Sequence, residues 1–151
     1  MNILACDLGG TKVLLGIYEE KDNYSAPKII TKKKYDSYKY ESFYSILDHF
    51  LNEECKDLSL PNSACFGVAG PVNNGIGKIT NLNWEISAFE LTKNFNLKYL
   101  EVINDFAILI YGIPFILKNQ FKTIQNVRNI QLNDKNLHAV VGAGTGLGIS
   151  R

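Results

Sequence analysis

Two periods of hydrophobic and polar positions run through the chain. Ile3 to Asp7 and Val13 to Tyr18 are β-rich runs joined by Leu8-Gly9-Gly10-Thr11-Lys12, which predicts antiparallel strands meeting at a glycine turn. A third strand is expected at Ile29 to Tyr35, with Lys32-Lys33-Lys34 as the solvated face of a sheet edge. From Glu41 to Glu54 the period changes: Phe43, Ile46, Leu47, Phe50 and Leu51 recur at three and four, the stripe of an amphipathic helix. His49, Asp48 and Glu53 fall off that stripe and read as surface.

Pro61-Asn62 breaks the helix, and Ala64 to Ala69 predicts a buried strand ending at the turn signal Gly70-Pro71. Asn73-Asn74-Gly75 turns into a hairpin arm at Ile76 to Thr80. Ser87-Ala88-Phe89-Glu90 has capping-box form and opens a helix to about Phe95. Tyr99 to Ile103 is expected to be a further buried strand, after which Asn104-Asp105 opens an apolar helix from Phe106 to Ile113, closed by Pro114. Residues 118–136 carry no clear pattern. His138 to Val141 then reads as a strand running into Gly142-Ala143-Gly144-Thr145-Gly146-Leu147-Gly148. Antiparallel strands followed by alternating strand and helix predict an α/β fold with a mixed sheet. Two Gly-Thr turns, each preceded by a strand, suggest two lobes of similar make.

Composition narrows the function classes. The 151 residues are 46% hydrophobic and 21% charged, enough for a core without disulfides or a structural metal. A formal net charge of +1 is too small to hold nucleic acid or an anionic membrane, so any anion must be bound locally. Cys6, Cys55 and Cys65 form no C-x-x-C pair and read as small buried hydrophobes of a reducing compartment. The N-terminus lacks a basic n-region, and the apolar stretch Phe106 to Leu117 falls short of the roughly 20 residues of a membrane span. A soluble, cytoplasmic protein is expected, and the Asn23-Tyr24-Ser25 sequon is then idle.

Three motifs carry candidate chemistry. Gly9-Gly10-Thr11 offers backbone N–H groups and a hydroxyl to a phosphate, and Asp7 beside it can hold a metal-bound water of Mg²⁺. Alone, the turn reads equally well as a simple hairpin. Gly142 to Gly148 repeats the logic without being a Rossmann fingerprint, since the third glycine would fall at Leu147 or Ile149. A Walker loop is also missing, because Gly77-Lys78 is followed by Ile79. Asn104-Asp105 follows a strand, where α/β folds present ligands. A carboxylate there can take a proton from an attacking hydroxyl, with the helix dipole favouring its ionised form. The pair reads equally as a helix cap.

Taken together and in this order, the motifs match the ribonuclease H-like actin, Hsp70 and hexokinase arrangement. More closely, the sequence resembles bacterial-type glucokinases in Asp7-Leu8-Gly9-Gly10-Thr11, Gly70-Pro71, Thr80-Asn81-Leu82-Asn83-Trp84, Ile103-Asn104-Asp105-Phe106 and Gly142 to Gly148. The resemblance implies ATP- and Mg²⁺-dependent phosphorylation of the 6-hydroxyl of glucose, in a cleft between two lobes. It implies Asp105 as general base, Asn104 and Asn81 near the sugar, and Trp84 as packing. Cys6, Asp7, Leu8, Gly9, Gly10 and Thr11 would line one phosphate site, and Gly142, Gly144, Thr145 and Gly146 the other. Cys6 stands where the family often has glycine.

The family's Glu-Gly-Gly-His sugar ligands and adenosine segment follow the second phosphate turn, beyond Arg151. The expectation is therefore a small lobe over residues 1–110 and the start of a large lobe over 111–151. Such a chain is expected to be inactive by itself, and its parent could form a homodimer. Alternatives are a non-catalytic sugar- or nucleotide-binding fragment, and a ROK-type hexokinase acting on another sugar.

Overall fold

The computed structural model describes residues 1–21, 26–116, 120, 122, 124, 139–143 and 147–150. The first runs of the sequence form β1 (Asn2–Leu8), β2 (Lys12–Glu19) and β3 (Lys28–Asp36), antiparallel neighbours in one sheet. α1 (Phe43–His49) follows, then β4 (Ser63–Val68) and a hairpin sheet of β5 (Val72–Asn73), β6 (Ile76–Ile79) and β7 (Trp84–Ser87). α2 (Ala88–Asn94) leads to β8 (Tyr99–Asn104). The main sheet has five strands in the order β3-β2-β1-β4-β8, with β1, β4 and β8 parallel. The mixed α/β architecture expected from the strand and helix order is present.

Strand alternation decides where the core lies. Leu4, Cys6 and Leu8 of β1, Val13, Leu15 and Ile17 of β2, and Ala64, Phe66 and Val68 of β4 share one face and are buried. The α1 stripe covers that face: Phe43, Ile46, Leu47 and Phe50 are buried, and the Phe43 ring meets Phe66 edge-on at 5.5 Å. Each such large side chain taken out of water contributes about 1.5–3 kcal/mol. Ser42 starts the helix through a reciprocal capping box with Ser45. Past His49 the helix widens into a π turn, Phe50–Glu54, so the regular α part is shorter than the periodicity alone suggests. His49 is exposed, as its position off the stripe requires.

Four expectations need correction. Tyr99 to Ile103 is an edge strand in which Val102 is buried and the rest is at least partly exposed. Trp84–Ser87 is a strand that the reading passed over, although Trp84 and Ile86 are buried and Glu85 is exposed, the period-two signature. Phe106 to Ile113 is not a continuous helix. Leu109, Ile110 and Tyr111 donate to carbonyls three residues back, and α3 covers only Leu109–Gly112 before the 3₁₀ turn Ile113–Phe115. Gly112 and Pro114 leave too few residues to offset helix nucleation. Regular helix therefore begins four residues after Asp105, and a helix dipole does not act on that carboxylate.

By its contacts the chain divides into Met1–Asp105 and Phe106–Arg151. In the second unit β9 (Val140–Ala143) and β10 (Leu147–Ser150) pair antiparallel; Gly144, Thr145, Gly146 and His138 lie outside the described residues. Among the described residues no helix is long and apolar enough to cross a membrane.

Candidate functional site

The register of the parallel strands brings three chain exits to one edge. Leu8 pairs with Val68, and Val68 with Asn104, so β1, β4 and β8 end in a single row. The ladder continues one step beyond: Ala69 N–H donates to Leu8 O and Asp105 N–H to Val68 O, each at 2.9 Å. The glycine turn, the Gly70-Pro71 turn and Asn104-Asp105 are thus neighbours at the carboxyl edge of the sheet, where α/β folds present ligands.

Asn104 joins two of these segments. Its Nδ2 donates to Gly70 O and to Asp105 Oδ1, both at 3.0 Å, which aims the carboxylate from a fixed backbone point. Gly70 is required by close approach, since a Cβ there would overlap the Lys78 carbonyl. That contact seats β6 against the edge. Trp84 packs, as expected: it is buried, and its Nε1 donates to Glu41 O at 3.1 Å. Beside it lies a cleft of about 490 Å³ lined by Lys78, Ile79, Thr80, Asn83, Trp84 and Glu85.

In the first turn Gly9 N–H donates to Lys12 O at 3.0 Å, closing the hairpin. Gly75 is the glycine with positive φ among the described residues, so neither Gly9 nor Gly10 is there for left-handed backbone. Space is the reason at Gly10, where a Cβ would run into the Asn81 side chain. Asn81 itself donates from Nδ2 to Gly10 O at 3.3 Å. It was expected beside a sugar and is found on the glycine turn. On the other approach Ser37, fully buried, donates from Oγ to Gly9 O at 3.3 Å and from its backbone N–H to Thr11 O at 2.9 Å. Sequence reasoning missed Ser37, which carries no motif and follows a strand of exposed lysines.

Not all of the residues expected around this turn point the same way. Asp7 and Thr11 are exposed, whereas the Cys6 and Leu8 side chains belong to the core. Any part those two play at a phosphate is through backbone. Burial, reinforced by the neighbouring Asp7 charge, pushes the Cys6 thiol well above its ordinary pKa, so it stays a neutral packing group. No cluster of three or more His, Cys, Asp or Glu among the described residues could hold a metal. The exposed Asp7 carboxylate is a donor set that suits a cation arriving with water and phosphate oxygens rather than a resident one.

In the second unit Gly142 accommodates the Phe106 ring, which a Cβ would displace. Gly144, Thr145 and Gly146 of the second turn lie outside the described residues.

A family model described as glucokinase matches residues 4–151. The glucokinase of Trichormus variabilis is 35% identical over 97% of this chain and 41% of its own length, and that of Synechocystis 32% identical over 98% and 42%. The chain therefore spans about two-fifths of the length of these relatives. Among solved structures, the glucokinase of an Antarctic psychrotroph aligns with TM-score 0.85 and 32% identity, over 98% of this chain and 45% of that one. A ROK family glucokinase from Streptomyces griseus, in complex with glucose and AMPPNP, aligns with TM-score 0.62 at 19% identity over 99% of this chain and 43% of that one, which speaks to the fold. The mixed sheet is that of the actin-like sugar kinases, and with nearly every residue inside the matched model the chain belongs to the glucokinase family.

Proposed function

We propose that these residues form the N-terminal part of an ATP-dependent glucokinase that phosphorylates the 6-hydroxyl of glucose. The observation that carries this reading is the Asn104 amide, which ties the Asp105 carboxylate to Gly70 at the sheet edge where the glycine turn also begins. Asp105 takes the proton of the sugar hydroxyl as its oxygen attacks the γ-phosphorus of ATP, and ADP leaves with the bridging oxygen. Asn104 holds that carboxylate in line and contacts the sugar. Phosphoryl transfer asks mainly for positioning and charge neutralisation, so a carboxylate of ordinary basicity serves.

The turn at residues 9–11 receives one part of the ATP phosphate chain through backbone N–H groups and the Thr11 hydroxyl. Asp7 would hold a Mg²⁺ ion arriving with ATP through water, and the ion would supply neutralisation of phosphate charge. The curated glucokinases that match at 35% and 32% identity support the reading. The chain spans about two-fifths of the length of these relatives, so the activity is to be measured on the full-length enzyme.

A coupled assay of the full-length enzyme tests the reading. ADP release that depends on glucose, with the phosphate recovered on the 6-oxygen, is the expected result. ATP hydrolysis indifferent to sugar, or phosphate on another hydroxyl, contradicts it.

A further inference from the structure

We propose that Ser37 and Asn81 are positioning residues which hold the turn at residues 9–11 in its phosphate-binding form, an inference that rests on the function proposed above. Three successive carbonyls of this turn are each taken by a donor from a distant segment. Gly9 O accepts from Ser37 Oγ at 3.3 Å, Gly10 O from Asn81 Nδ2 at 3.3 Å, and Thr11 O from Ser37 N–H at 2.9 Å. A planar trans peptide sets each N–H opposite the preceding carbonyl. Holding Gly9 O toward Ser37 therefore turns the Gly10 N–H away from Ser37, and holding Gly10 O toward Asn81 turns the Thr11 N–H away from Asn81. The donors left for an anion are oriented by what the carbonyls are bound to.

The two braces differ in character, which gives them separate signatures. Ser37 is the buried polar residue among the described residues, and burying a hydroxyl is costly unless it is hydrogen-bonded, so its place under Gly9 is a structural commitment. Asn81 is exposed and lies across Gly10, where any larger residue would push it off. A turn with two adjacent glycines has more backbone freedom than its task allows, and the braces remove that freedom before ATP arrives.

Steady-state kinetics on the full-length enzyme test this. Ser37→Ala removes the Oγ donor, and about a five- to tenfold rise in KM for ATP is expected, with KM for glucose unchanged. Asn81→Asp keeps the shape but sets an acceptor against the Gly10 carbonyl, and should raise KM for ATP more than Asn81→Ala does. Because Asn81 is exposed, neither of its variants endangers folding. A merely space-filling Asn81 would tolerate Asp better than Ala, and a merely structural Ser37 would lower the melting temperature without moving KM for ATP; either pattern overturns the proposal. Asp7→Asn separates this failure from a failure of the underlying reading. If it impairs ATP use while the brace variants do not, the braces are wrong and the phosphate turn stands. If none of the four variants affects ATP use, both fall.

Discussion

Each cysteine of the protein is a free thiol, and the differences among them follow from burial. Cys55 is buried beside Glu54, and desolvation, assisted by that charge, pushes its thiol up to about 11. Below pH 9 the thiol is protonated in the folded and the unfolded chain and contributes no pH dependence. Between pH 9 and 11 the unfolded thiol ionises while the folded one resists, so stability is lost as pH rises through that window. A urea midpoint that falls between pH 9 and 11, with a shallower fall in Cys55→Ala, is the expected measurement. Cys55 is buried although it stands between Glu54 and Lys56, and Cys65 is only partly buried, which corrects the expectation for it. Reading Cys6 as a buried hydrophobe was possible from its apolar strand. The same was not true of Ser37, since a single serine after an exposed strand has no local mark of the Gly9 carbonyl it will meet. Asn81 was visible as part of a motif, but its contact with Gly10 is made 71 residues away along the chain.

At the level of elements, local chemistry placed most boundaries. Ser87 caps α2 by accepting from Glu90 N–H at 3.3 Å, and Ser87→Ala should lower stability by about 1 kcal/mol in chemical denaturation. Just past α2, Asn96 stands at φ 51° and Leu97 N–H bonds back to Thr92 O, the left-handed stop that Asn tolerates. Asn74-Gly75, both at positive φ, makes the tight turn between β5 and β6 that the Asn-Gly pair announces. Gly70→Ala should be costlier than the cap change, at about 1–3 kcal/mol, because the Lys78 carbonyl occupies the space of the new methyl. Where the elements were misread, tertiary context had overruled pattern. Four residues of β7 alternate too briefly to stand out, and the apolar run after Asp105 looks helical until Gly112 and Pro114 are weighed against nucleation.

Across the whole molecule, the order of motifs indicated the family before any geometry, because glycine turn, Gly-Pro turn and Asn-Asp pair have to follow strands that end side by side. Only the register shows that they do, with Leu8, Val68 and Asn104 in one row. In the proposed function Asp105 is the group on which phosphoryl transfer turns, and its carboxylate is held by Asn104 at 3.0 Å. The most direct test is therefore kcat of the full-length enzyme carrying Asp105→Asn, with the fold checked by circular dichroism. The substitution preserves shape and removes the base, so kcat should fall at least about 100-fold while KM for ATP changes little. A variant that folds normally and phosphorylates glucose at the unaltered rate would contradict the assignment.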